Sequence, residues 1–158
     1  MKELKQMTVC FTGHRRVPDG IKPTLEAKLY KTVLSMIKSG YRYFGVGGAV
    51  GFDTLAAKTI LSLRREYPYI RLILVLPCKN QTAKWRSEDV DMYNRILSEC
   101  DKAVYISDHY TGDCMHRRNR HLVDCGSVCV CYQTVNTGGT AYTVRYAVDK
   151  GFTVINLA

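Results

Sequence analysis

TVCFTGHRRVPDGIKPTLEAKLYKTVLSMIKSGYRYFGVGG, Thr8 to Gly48, reads as strand, helix, strand. TVCFTG (Thr8–Gly13) and YRYFGVG (Tyr41–Gly47) are apolar, aromatic and β-branched runs without clean polar alternation. Such strands are buried on both faces, as in a parallel sheet. Between them Leu25, Leu29, Val33, Met36 and Ile37 recur at helical spacing over Lys22–Ser39. Pro23 suits the first helical turn and Gly40 the position just past the end.

The same alternation continues outward. Further strands are predicted at Arg71–Cys78, Lys102–Ser107, Ser127–Tyr132 and Thr153–Leu157. Helices are predicted at about Phe52–Glu66, with Asp53 or Thr54 as N-cap, and at Lys84–Glu99, Cys114–Cys125 and Gly139–Lys150. Five crossovers of this kind define a doubly wound α/β fold, a mostly parallel sheet with helices on both faces. No linker or repeat interrupts the pattern, so residues 1–158 are expected to form one domain.

The 158 residues are 46% hydrophobic and 23% charged, a globular composition that excludes wholesale disorder and a coiled coil. Apolar runs such as Leu72–Leu76 are too short for a bilayer, so no membrane partner is expected. MKELKQMTV carries no signal-peptide core, which points to the cytoplasm. The net charge of +9 favours anionic partners, nucleotide or nucleic acid. Seven cysteines, an odd number, are read as reduced thiols. Cys129 and Cys131 share one face of a strand, and without a second such pair no metal site is expected.

Ligands in open α/β sheets bind beyond the carboxyl ends of the strands. Three junctions there are unusual. Gly13-His14-Arg15 follows the first strand, a tight turn beside a guanidinium that can grip phosphate. Gly47-Gly48-Ala49-Val50-Gly51-Phe52-Asp53 follows the second, exposing amides at a helix start. Asp53 either caps that helix or accepts from a ribose or base. Gly138-Gly139-Thr140-Ala141-Tyr142-Thr143 follows the fifth, where Thr140 or Thr143 could hold phosphate or simply cap. The helix before that strand carries Met115-His116-Arg117-Arg118-Asn119-Arg120-His121. Arg118 and Asn119 are not expected to face the core together with Leu122 and Val123, so a charged face should overlook the cleft. His14, His116 and His121 are available as acid or base near neutral pH.

Together CFTGHR (Cys10–Arg15), GGAVGFD (Gly47–Asp53), MHRRN (Met115–Asn119) and GGTAYTVRYA (Gly138–Ala147) resemble the YpsA-like family of the SLOG superfamily, over nearly the whole chain. That resemblance implies a Rossmann-like domain. Two related groups frame the function. DprA proteins have similar glycine stretches and bind single-stranded DNA. LOG phosphoribohydrolases cleave the N-glycosidic bond of nucleoside monophosphates, with the signatures M-H-x-R-K and P-G-G-x-G-T-x-x-E. Met115, His116 and Arg118 match the first, with Asn119 in the lysine position. The second is broken: no acid follows Thr140 until Asp149, so the catalytic glutamate is missing.

The leading expectation is therefore binding or sensing of a nucleotide-derived, ADP-ribose-like small molecule. Gly13, Arg15, Gly48, Gly51, Gly139 and Thr140 would cradle phosphate, Asp53 would contact ribose or base, and Arg118 and Asn119 would close over the ligand. Two alternatives stay open. One is an N-glycosidase with Asp53 as its catalytic carboxylate. The other is single-stranded nucleic-acid binding, with Trp85 and Tyr110 as stacking candidates. Both groups of relatives form dimers, which carries over as the expectation of a homodimer.

Overall fold

The computed structural model describes residues 2–158. Its elements, in chain order, are α1 (Lys2–Gln6), β1 (Thr8–Gly13), α2 (Lys22–Lys38), β2 (Tyr43–Val46), α3 (Phe52–Arg64), β3 (Arg71–Cys78), α4 (Ser87–Glu99), β4 (Lys102–Ser107), α5 (Cys114–Asp124), β5 (Val128–Tyr132), α6 (Gly139–Asp149) and β6 (Thr153–Asn156). All six strands join one sheet in the order β4-β3-β2-β1-β5-β6, and every pairing is parallel. The chain winds outward from β1 to β4, then returns to place β5 on the other side of β1. That reversal opens a crevice between the carboxyl ends of β1 and β5.

The two faces follow from residue parity along the strands. Val9, Phe11, Val128, Val130 and Tyr132 face one way, under α2, α3 and α4, with Leu29, Ile60 and Phe44 in the same cluster. Cys10, Val75, Cys129 and Cys131 face the other way, under α5 and α6, with Leu122, Val123 and Ala147. Cys10 sits in register with Cys129. All seven thiols are free. A thiol–thiol hydrogen bond with Cys10, then burial, raises Cys129 well above its ordinary value, and burial pushes Cys131 up to about 12. These are packed, protonated side chains that behave as small hydrophobes. No helix among the described residues is long and apolar enough to cross a membrane.

Among the differences from the sequence expectation, two boundaries and one added helix have clear local reasons. β2 begins at Tyr43, two residues later, because the Tyr41 N–H donates back to the Met36 carbonyl at 3.0 Å as the chain leaves α2 through Gly40 at φ +100°. α4 begins at Ser87, not Lys84, because Ala83 and Trp85 close turns onto Asn80 and Thr82. The short α1 is tied to β1 by the Thr8 hydroxyl, which donates to the Leu4 carbonyl at 2.6 Å.

Candidate functional site

At the crevice between β1 and β5 lies a cavity of about 310 Å3. Gly13, His14 and Arg15 approach it from the end of β1, Asp53 from α3, Arg118 and Asn119 from α5, and Gly138, Gly139 and Thr140 from the start of α6. Four stretches far apart in sequence thus meet at one place. Thr12, Ala49, Met115, Leu122 and Thr137 complete much of the wall. Of these, Thr12, Ala49 and Met115 fall within the motifs read from the sequence, whereas Leu122 carries only a core signal.

The glycines build the frame in different ways. A Cβ on Gly13 would lie 2.4 Å from Cγ of Phe52, so the glycine lets β1 pack directly on the start of α3. Gly51 has φ +80°, and a Cβ there would stand 2.1 Å from the Arg15 carbonyl oxygen. The first two loops therefore touch backbone to backbone, and the Phe52 N–H donates to the His14 carbonyl at 3.1 Å. Gly47, Gly48 and Gly51 lie outside the lining of the cavity. They shape the loop that carries Asp53, and the Gly48 carbonyl accepts from the Gln81 amide at 2.8 Å.

Asp53 is 6% exposed and caps no helix; α3 has Gly51 as its N-cap, without a side-chain cap. Its Oδ2 accepts the Ala49 N–H at 3.1 Å, folding the carboxylate back over the glycine loop. Oδ1 is buried without a partner. Burial raises the Asp53 pKa from 3.8 to about 6, against the opposing pull of Arg118, the Ala49 amide and Arg15. Thr54 is no cap either, since its hydroxyl donates to the Ala49 carbonyl at 3.2 Å.

Arg118 and Asn119 are both buried, at 6% and 9% exposure, beside Leu122 and Val123. The expectation that they could not share the core-facing side fails on helix geometry. Residues i, i+1, i+4 and i+5 span only about 140° of arc. Arg118 is accommodated because its donors are engaged. Nε donates to Asn119 Oδ1 at 2.7 Å, and Nη1 donates to the Gly47 carbonyl. Burial lowers its pKa, with the Asp53 charge acting against that shift. The bond from Nε fixes the Asn119 amide so that Nδ2 faces Gly139, 3.9 Å from where a Cβ there would stand. Asn119, not Arg118, thus presents donors toward the start of α6.

That start is open. Gly138, at φ 92° and ψ −174°, precedes α6 without any side-chain cap. Helix geometry leaves the first-turn amides unpaired within the helix, at the positive end of its dipole. Thr143 faces elsewhere: its hydroxyl donates to the Gly139 carbonyl at 2.8 Å, and the residue lies outside the lining. His14 Nε2 accepts the Thr134 N–H at 2.9 Å, which fastens the first loop to the fifth. His116 packs edge-on against Tyr142, 4.6 Å between ring centroids, and neither it nor His121 lines the cavity. Trp85 packs edge-on against Tyr93, whereas Tyr110 is 61% exposed.

An all-parallel sheet whose order reverses beside β1, with glycine-rich helix entries flanking the reversal, defines a Rossmann-like α/β domain. Within that class the sequence carries a finer signature, spread over most of its length. The chain belongs to the YspA SLOG family, whose family model matches residues 9–153. A UPF0398 protein of Brevibacillus brevis is 23% identical over 129 residues, covering 80% of this chain and 69% of the relative. Among solved structures, DNA processing protein A of Helicobacter pylori, described for its single-stranded DNA binding mode, superposes with a TM-score of 0.70 at 17% identity. The Streptococcus pneumoniae protein DprA does so with 0.68 at 16%. These matches cover 95% and 96% of this chain but only 64% and 50% of the two DNA-processing proteins. At such identities the likeness is one of fold.

Proposed function

We propose that the protein binds a phosphorylated, nucleotide-derived small molecule in the cavity between β1 and β5. The observation that carries this reading is the uncapped start of α6 opening on a bounded cavity, with the Asn119 amide beside it and the exposed Arg15 at the rim. Amides at a helix start recognise anions, and a guanidinium adds charge-assisted bonds. A volume of about 310 Å3 is at the small end of ligand sites, suited to a mononucleotide or part of a dinucleotide. The test is thermal unfolding in the presence of AMP, ADP-ribose, NAD and a short single-stranded oligonucleotide. A ligand at 100 times its Kd raises stability by about 2.7 kcal/mol. Arg15→Ala, at the exposed rim, should remove most of that increment while leaving the free protein's melting temperature in place. If no small nucleotide stabilises the protein, this reading is wrong. If only the oligonucleotide does, the site belongs to nucleic acid, with Tyr110 as the available stacking side chain.

A second reading, N-glycoside cleavage, is favoured by one feature. Asp53 places a carboxylate in the same cavity, and its pKa of about 6 suits acid–base work near neutrality. It would supply, from α3, the carboxylate that the resemblance to the LOG hydrolases implies and that α6 lacks. Release of free base from a bound nucleotide, lost in Asp53→Asn while binding persists, is the expected result; a bound ligand recovered intact after long incubation would refute it.

A further inference from the structure

Among the buried side-chain polar atoms of the described residues, Asp53 Oδ1 is the one without a hydrogen-bond partner. A buried acceptor left unpaired, and charged for much of the physiological range, carries its full desolvation cost. The neighbouring protein donors are engaged. The Ala49 N–H goes to Oδ2, Arg118 Nε, Nη1 and Nη2 go to Asn119, Gly47 and, at 4.0 Å, the Met115 sulfur, and the Thr54 hydroxyl goes to Ala49. No protein donor reaches Oδ1, so a group from outside the chain can complete it.

Two places beside Asp53 could supply it. One is the 310 Å3 cavity. The other is a second cavity of about 30 Å3 that Asp53 also lines, the room of a single water. Its walls mix Leu74, Ala57, Met92 and Ile96 with the polar side chains of Thr54, Asp89 and Tyr93. A water there could reach Oδ1 but would fill this space alone, whereas the larger cavity has room for a ligand. The larger cavity is the better source. A phosphate offers only acceptors to a carboxylate, whereas the sugar attached to it carries hydroxyl donors.

We infer that Asp53 accepts a hydrogen bond from a ribose hydroxyl of the bound ligand, so that the site selects nucleotides for their sugar. This rests on the nucleotide reading above and adds the sugar to it. Affinities of the wild-type protein for AMP, its 2′-deoxy and 3′-deoxy analogues and 2′,3′-dideoxy-AMP would be measured by calorimetry. The dideoxy compound is expected to bind at least about tenfold more weakly, the effect of losing one charge-assisted hydrogen bond. At least one monodeoxy analogue should reproduce that loss and identify the hydroxyl. In Asp53→Asn, which keeps an acceptor for Ala49 but not the charge, the dideoxy penalty should shrink to within about threefold. Equal binding of AMP and its dideoxy analogue by the wild type overturns the inference, assigns Oδ1 to a water and leaves the nucleotide reading standing. An unchanged penalty in Asp53→Asn also overturns it. Failure of all four compounds to bind overturns the nucleotide reading itself.

Discussion

Replacing Gly51 by alanine should be among the most damaging single-methyl changes at the site, and Gly138→Ala provides the control that isolates why. Both glycines stand at helix starts with positive φ: 80° with ψ −122° at Gly51, and 92° with ψ −174° at Gly138. A side chain in such a conformation costs about 1–3 kcal/mol at either position. The surroundings differ. A Cβ on Gly138 meets nothing within 4 Å, whereas one on Gly51 stands 2.1 Å from the Arg15 carbonyl oxygen and 2.5 Å from its carbon. Main-chain atoms cannot swing aside as the end of a side chain can, so the first loop must shift. Overpacking of that kind adds about 1–3 kcal/mol. Gly51→Ala is therefore expected to lose roughly 2–6 kcal/mol and Gly138→Ala roughly 1–3 kcal/mol. Urea unfolding with unchanged slope would report both. For a chain of this size the difference amounts to several degrees in melting temperature, at about 2–4 °C per kcal/mol. Equal losses in the two variants would refute the contact argument, and a smaller loss for Gly51→Ala would refute it more strongly.

Three other outcomes are expected. Because Asp53 titrates near 6 when folded and at an ordinary 3.8 when unfolded, the native state holds this proton more tightly. The group's contribution is fully present below pH 3.8 and is lost as pH rises through about 6. Its loss is worth about 3 kcal/mol, so the stability of Asp53→Asn relative to wild type should improve by that order between pH 4 and pH 8. A flat difference across that range would count against the burial of the carboxylate. Arg118→Met should destabilise by about 3–5 kcal/mol, since it leaves the Gly47 carbonyl and the Asp53 charge without their partner. Arg118→Lys should not recover this, because an ammonium cannot reproduce the planar fork that reaches Asn119 and Gly47 together; full recovery in equilibrium unfolding would contradict that. Thr143→Val removes a hydroxyl that only closes onto its own helix, so stability should change by less than about 1 kcal/mol and nucleotide affinity not at all. A tenfold loss of affinity in titration calorimetry would place Thr143 in the site after all.

The layering was legible because the strands are long apolar runs separated by clear helical periods. Even the shared face of Cys129 and Cys131 follows from a period of two. The meeting of the Gly13, Asp53 and Gly139 junctions was legible from a general property of doubly wound sheets, once the strands were in place. What the sequence hid was the interior of the site. An arginine on a helix is ordinarily read as solvated, and only the Gly47 carbonyl, 71 residues away, explains why Arg118 can be buried. The same holds for Thr143, whose hydroxyl is indistinguishable in sequence from that of Thr140 until the helix backbone is seen to claim it. The uneven roles of the glycines were equally hidden. Gly13 and Gly138 border the cavity, while Gly47 and Gly51 only make room for their neighbours.

The reversal of strand order beside β1 has a temporal side. One wall of the cavity begins at Phe11 and the opposite end of its lining is Thr140. During synthesis the early βαβ units can assemble with Asp53 and the first loop in place, yet the site does not exist until α6 has been made and docked. A ligand of this cavity therefore cannot guide the early steps of folding. It can act only as a late inspector, holding together a domain whose winding is already complete.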